Sequence, residues 1–169
     1  MNIAQLEHVL RAAAAITGTD RFVVIGSQSI LGTIADPPTD LTQSVEVDLA
    51  PLSCPSDADL IDGSIGELSP FHSTFGYYAH GVSIESATLP DGWESRLKAL
   101  CTPLTGGATA LCLEPTDLAV AKLVAGRDKD VAFITVLVRH GLVTIDGIRS
   151  RLRDTRLAEP LRAATEARL

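Results

Sequence analysis

RFVVIGSQSILG, residues 21–32, and SVEVDLAP, residues 44–51, are the stretches on which the fold turns. Arg21–Ile25 is a short β-rich run that enters a tight turn at Gly26-Ser27, after which Ser27–Gly32 becomes helical and Asp36-Pro37-Pro38 forbids a long continuation. Ser44–Leu49 alternates with period two, so Val45, Val47 and Leu49 face the core while Glu46 and Asp48 share the opposite face. Two carboxylates on one strand face repel each other unless the face is wet or a cation neutralises them. A glycine turn followed by a helix start suits a phosphate.

Working outward, Leu6, Val9, Leu10, Ala13, Ala14 and Ile16 repeat at helical spacing and predict an opening helix over 3–17 that stops at Gly18. Ser56–Ile65 is expected to be helical, 66–78 a loop rich in Gly, Pro and aromatics, and Val82–Leu89 a third strand. Leu97–Thr102 and Ala108–Leu113 read as a further pair of strands around Gly106-Gly107. After Pro115 the period turns helical, with helices over 117–125, 128–139, 145–153 and 157–167. The expected architecture is α/β (α+β), a minimal mixed sheet with a C-terminal helical region. The expected division is a core over 1–113 with helices over 114–169 packed on it as one globular unit.

A chain of 169 residues with 46% hydrophobic and 21% charged residues has the make-up of an ordinary folded domain. No apolar run approaches the roughly 20 residues that cross a bilayer, and the start lacks the basic opening of a secretory signal, so a cytoplasmic location without membrane contact is expected. Cys54, Cys101 and Cys112 lack CxxC spacing and read as reduced structural thiols. The net charge of −7 opposes non-specific binding of nucleic acid by the whole surface. The tail 149–169 nevertheless carries six arginines against three acids. Arg149, Arg153 and Arg156 would share one helix face, either as a patch for RNA or as a solvated surface.

Gly26 and Ser27 are candidate phosphate-binding residues, although a strand-to-helix turn explains them equally well. The P-loop and the GxGxxG fingerprint are both absent. Glu46 and Asp48 could hold one divalent ion or a pair, Mg2+ suiting oxygen ligands best and Mn2+ as an alternative; a solvated edge strand also accommodates them. Glu85, on the expected third strand, is the candidate third carboxylate, with Asp59, Asp62 and Glu67 as competitors. Lys122 would emerge beside a buried stripe of Leu118, Ala121 and Ala125 and meet a phosphate, while Asp130 orients Arg127 or Lys122, serves as base, or forms a plain salt bridge. His72 and His80 have no metal-ligand partner at recognisable spacing, and Tyr77 or Tyr78 could either stack on a base or plug a small core.

Gly26-Ser27 followed by Glu46-x-Asp48 resembles the signature of the DNA polymerase β-like nucleotidyltransferase superfamily, hG[GS] and then [DE]h[DE] on the next strand. Together with GYYAHGV (76–82), LPDGWESRL (89–97) and LEPTDLAVAKLVAGRDKD (113–130), the text is similar to a family of bacterial nucleotidyltransferases (DUF6036-like) related to the toxins of AbiE-type abortive-infection systems. The resemblance implies magnesium on the pair matching Glu46 and Asp48 and a triphosphate on the Gly26-Ser27 turn. It also implies a third acid on a later strand, assigned to Glu85, and a helical lysine and following aspartate at Lys122 and Asp130. Glu46 stands where an aspartate is commoner, and Glu85 is not a clean match. The expected activity is metal-dependent transfer of a nucleoside monophosphate from an NTP to a hydroxyl of RNA, protein or a small molecule, in a toxin–antitoxin or phage-defence setting. A partner protein or a homodimer would complete recognition. The alternative is a catalytically inactive nucleotide-binding or protein-interaction module on the same fold.

Overall fold

The computed structural model describes residues 1–169. Helix α1, Ile3–Thr17, starts at a capping box between Asn2 and Gln5 and stops where Gly18 turns left-handed and returns its N–H to Ala14. Strand β1, Arg21–Val24, is followed by a 3-10 turn, Ser27–Gly32, and strand β2 spans Glu46–Pro51. Helices α2 (Ala58–Ile65) and α3 (Pro70–Phe75) lead to strand β3, Tyr78–Gly81. Strands β4 (Lys98–Leu100) and β5 (Thr109–Cys112) precede helices α4 (Pro115–Ala125), α5 (Asp128–Arg139), α6 (Ile145–Arg153) and α7 (Glu159–Glu166). No helix is long and apolar enough to cross a membrane.

The five strands form one open sheet in the order β3-β2-β1-β5-β4, and the fold is the expected mixed α/β arrangement with helices gathered at the C-terminus. β1 lies antiparallel to β2 and parallel to β5, β2 parallel to β3, and β4 antiparallel to β5. β1 is buried on both faces, which is why Phe22-Val23-Val24-Ile25 reads as an unbroken apolar run. Phe22 and Val24 pack with Val47 and Leu49 against Leu6, Leu10 and Ala13 of α1 and Ile61 of α2. Val23, Ile25 and Ala50 face the other way, onto Leu118 and Leu123 of α4, Leu137 of α5 and Ile148 of α6. Each large aliphatic side chain so enclosed contributes about 1.5–3 kcal/mol.

Two expectations for the middle of the chain are corrected. The third strand is Tyr78–Gly81, not Val82–Leu89, and the loop over 66–78 contains α3, started by Ser69 capping His72 and Pro70 in the first turn. Val82–Leu89 instead holds a 3-10 turn, Ile84–Ser86, because the Ser83 hydroxyl accepts from the Glu85 N–H and draws the backbone out of extension. The stripe expected on α4 also shifts: Leu118, Ala119, Val120 and Leu123 are buried, whereas Ala121 and Ala125 turn toward a cleft with Lys122.

Candidate functional site

The antiparallel β1–β2 pairing sets the end of β1 beside the start of β2, with the Ile25 N–H bonded to the Asp48 carbonyl at 3.2 Å. Gly26 therefore sits directly on Asp48. A Cβ at residue 26 would overlap the Asp48 carboxylate, so the need for glycine here is one of space, since its backbone is extended (φ −85°). β2 is an internal strand, flanked by β1 and β3. Glu46 and Asp48 lie on the sheet face opposite the Val47 and Leu49 side chains, and that face is roofed by α4 and α5. A cleft of about 820 Å³ remains beneath the roof, lined by Gly26, Ser27, Glu46, Asp48, His80, Lys122, Arg127 and Phe133 among others.

The parallel β2–β3 register puts His80 opposite Asp48. Its Nδ1 lies 3.4 Å from Glu46 Oε1 and 3.5 Å from Asp48 Oδ1, and one ligand atom from each of the three residues falls within 4.8 Å of the others. Two carboxylates and one imidazole converging on a cleft, with Gly26 leaving room at their side, fit a divalent cation. Tyr78 donates its hydroxyl to Glu46 Oε2 at 3.2 Å; burial, followed by the charge of Glu46, pushes the phenol up to about 12, so it stays a donor. Burial first, and Glu46 second, also raise the Asp48 carboxyl above its ordinary value, against the pull of His80 and Lys122.

Across the cleft, Asp130 is fully buried at the start of α5. It accepts from Lys122 Nζ at 3.0 Å, from Arg127 Nε at 2.6 Å and from Arg127 Nη2 at 3.3 Å. Burial alone would raise its pKa; the hydrogen bonds from Arg127 and Lys122 outweigh that and hold it below the ordinary carboxylate value. A carboxylate so engaged is a poor base and a good anchor. The Lys122 ammonium also rests 4.5 Å from the centroid of Phe133.

Glu85 does not join this site. Its fully exposed carboxylate accepts from the Ser83 hydroxyl and lies outside the metal-ligand cluster and the cleft lining. The third position near the pair is taken by His80, which has no recognisable ligand spacing in the sequence because the strand that carries it is Tyr78–Gly81 rather than the expected Val82–Leu89. Had Tyr78–Gly81 been read as extended, period two would have put Tyr78 and His80 on one face. Tyr77 is buried among His8, Phe71 and Phe75, with its hydroxyl 2.7 Å from His8 Nδ1, and Tyr78 is engaged by Glu46 and His72, so neither forms an open stacking platform.

The expected arginine face is also broken. α6 ends at Arg153, so Arg156 lies beyond it and pairs with Asp91 at 3.3 Å, while Arg149 pairs with Asp146 at 3.5 Å. Arg151 is turned inward onto Asp117, Arg162 donates to the Leu152 and Thr155 carbonyls, and Arg168 to that of Leu123. Half of the six arginines thus tie helix ends together rather than form a surface.

The model of a family described as nucleotidyltransferase of unknown function (DUF6036) matches residues 4–162. The chain belongs to this family. Membership together with the Glu46–Asp48–His80 cluster supports a catalytic or nucleotide-binding role for the cleft. No curated protein and no solved structure matches the chain.

Proposed function

We propose that this DUF6036 chain is a metal-dependent nucleotidyltransferase that moves a nucleoside monophosphate from an NTP to a hydroxyl, releasing pyrophosphate. The observation that carries the reading is the opposition, across one cleft, of an anionic ligand cluster at Glu46, Asp48 and His80 and a cationic pair at Lys122 and Arg127. A volume of about 820 Å³ accommodates a nucleotide and part of an acceptor. A divalent ion held by Glu46 and Asp48 would supply charge neutralisation at the triphosphate and acidify a hydroxyl. Lys122, restrained by Asp130 and Phe133, takes phosphate charge as a point cation, and Arg127 takes it as a planar fork. Ser27 offers its hydroxyl at the turn, and Leu118, Phe133 and Val136 give the apolar wall against which a base can rest. The likeness to AbiE-type toxins favours an acceptor on RNA or protein and a partner in a defence pair.

Calorimetric titration with each NTP, with and without Mg2+ or Mn2+, tests the reading. NTP binding that requires the cation, is lost in Asp48→Asn and is weakened at least tenfold in Lys122→Ala, while the free nucleoside is unaffected, is the expected result; a tenfold loss corresponds to about 1.4 kcal/mol, within the range for a charge-assisted contact. Cation-independent binding, or none by any NTP, would sink it. Binding without pyrophosphate release in the presence of acceptor RNA or protein would leave the inactive nucleotide-binding module.

A further inference from the structure

The donor set at the anionic end of the cleft is not the all-oxygen set that magnesium demands. We infer that His80 is the third protein ligand of this centre, that Asp62 orients its ring, and that the centre is built for a first-row transition ion, Mn2+ foremost, rather than Mg2+. The inference rests on the proposed metal site and specifies which ion that site selects.

Donors at about 2.1 Å in neighbouring positions of an octahedron stand about 3 Å apart. His80 Nδ1 lies 3.4 and 3.5 Å from the Glu46 and Asp48 oxygens, close to that spacing. No other carboxylate joins the cluster. Mg2+ takes oxygen ligands and keeps its waters, whereas imidazole nitrogen favours the transition ions. Among the transition ions Mn2+ is the one that suits the carboxylate and water donors making up the rest of this set, so it is the transition ion nearest to Mg2+ in ligand preference.

A ligating histidine needs its other nitrogen held, and here Asp62 lies on that side, with Oδ2 3.9 Å from His80 Nε2. Asp62 is fixed in turn by accepting the Gly81 N–H at 2.8 Å. Gly81 allows this approach, because a Cβ there would overlap the Ala58 carbonyl and push α2, which carries Asp62, away from β3. The chain thus places a carboxylate behind the imidazole and two carboxylates in front of it. At 3.9 Å Asp62 is beyond direct hydrogen-bond range of Nε2, and it acts by its charge, favouring the tautomer with Nε2 protonated toward it and the Nδ1 lone pair turned to the Glu46–Asp48 pair. The His80 side chain is half exposed, so its replacement leaves the core intact.

The test titrates the whole chain, free of nucleotide, with MnCl2 and with MgCl2, and records pulsed electron paramagnetic resonance of the Mn2+-loaded protein. Mn2+ is expected to bind at least about tenfold more tightly than Mg2+ and to show nitrogen modulation from one imidazole. His80→Ala should lose the modulation and about tenfold or more of Mn2+ affinity while Mg2+ affinity changes little, and His80→Asp should narrow the gap between the ions. Asp62→Asn should weaken Mn2+ about tenfold with the modulation retained. Bound Mn2+ without nitrogen modulation, or His80→Ala binding Mn2+ as tightly as the parent, would overturn the inference, since the imidazole would then only stand in for a cation between the acids. Mg2+-dependent NTP binding measured on the same samples separates the two failures. If it persists while the nitrogen signature is absent, the nucleotidyltransferase reading stands and the ion selectivity falls; if no divalent ion binds with or without NTP, both fall.

Discussion

The Asp48 carboxyl is held above its ordinary pKa, first by burial and then by the charge and hydrogen bond of Glu46, with His80 and Lys122 pulling the other way. The fold therefore favours the protonated acid. Its contribution to stability is fully present below the ordinary carboxylate pKa and is lost as pH rises through the raised folded value, so at neutral pH the ionised group is a standing cost. Asp48→Asn should accordingly raise Tm at pH 7 without divalent ions, by roughly 2–4 °C for each kcal/mol relieved, and should steepen the rise of stability with pH on the acid limb, since the one acid that opposes that rise is gone. A thermal melt in which the variant is no more stable than the parent would contradict this electrostatic account. At this scale Glu46 and Asp48 were legible because period two is a property of any extended chain. His80 was not, since its relation to Asp48 exists only through the register between β2 and β3.

The α4–α5 junction is the element that holds the cationic side of the cleft. Gly126 adopts φ 66° to end α4, Arg127 stays extended, and α5 begins in time to bring the buried Asp130 under Lys122. Asp130 is held below its ordinary pKa by Arg127 and Lys122, so its stabilising contribution is present above the unfolded carboxylate value and is lost as pH falls through the folded one. Asp130→Asn leaves two cations without their counter-charge and should cost about 3 kcal/mol, at the lower end for a broken buried pair because Arg127 is largely exposed. Denaturant midpoints at pH 7 check it, and a loss below about 1 kcal/mol would reduce the trio to a surface ion pair. The C-terminal helices were readable to within a few residues because their caps are local: Glu114 caps α4, Gly126 stops it, and the Thr144 hydroxyl accepts from Gly147 to start α6. Val82–Leu89 misled because its apolar residues carry strand propensity while Ser83 bonds its own backbone in a turn.

Across the whole molecule, one clamp joins the loop before β4 to the C-terminal helices. Asp117, fully buried at the start of α4, receives Arg96 at 2.8 Å and Arg151 of α6 at 3.3 Å, and the Asp91 N–H donates to the Asp154 carbonyl at 2.8 Å. Arg151→Ala should destabilise the chain by about 1–3 kcal/mol, whereas Arg149→Ala and Arg153→Ala on the exposed side should stay within about 0.5 kcal/mol. Urea denaturation of the three variants decides it; equal effects would mean that the Arg151–Asp117 pair does not anchor α6 to α4. The sequence by itself determined the elements whose signals are local, namely the period of α1, the doubly buried run of β1, the alternation of β2 and the capped C-terminal helices, and with them the fold class and the two acids. Only the tertiary structure decided which nitrogen stands beside those acids, that Asp130 is spent on holding Lys122 and Arg127, and that Arg151 faces inward. Each of these depends on strand order, register and helix docking between residues far apart in the chain, where free energy is shared among many contacts and no short window of sequence carries the signal.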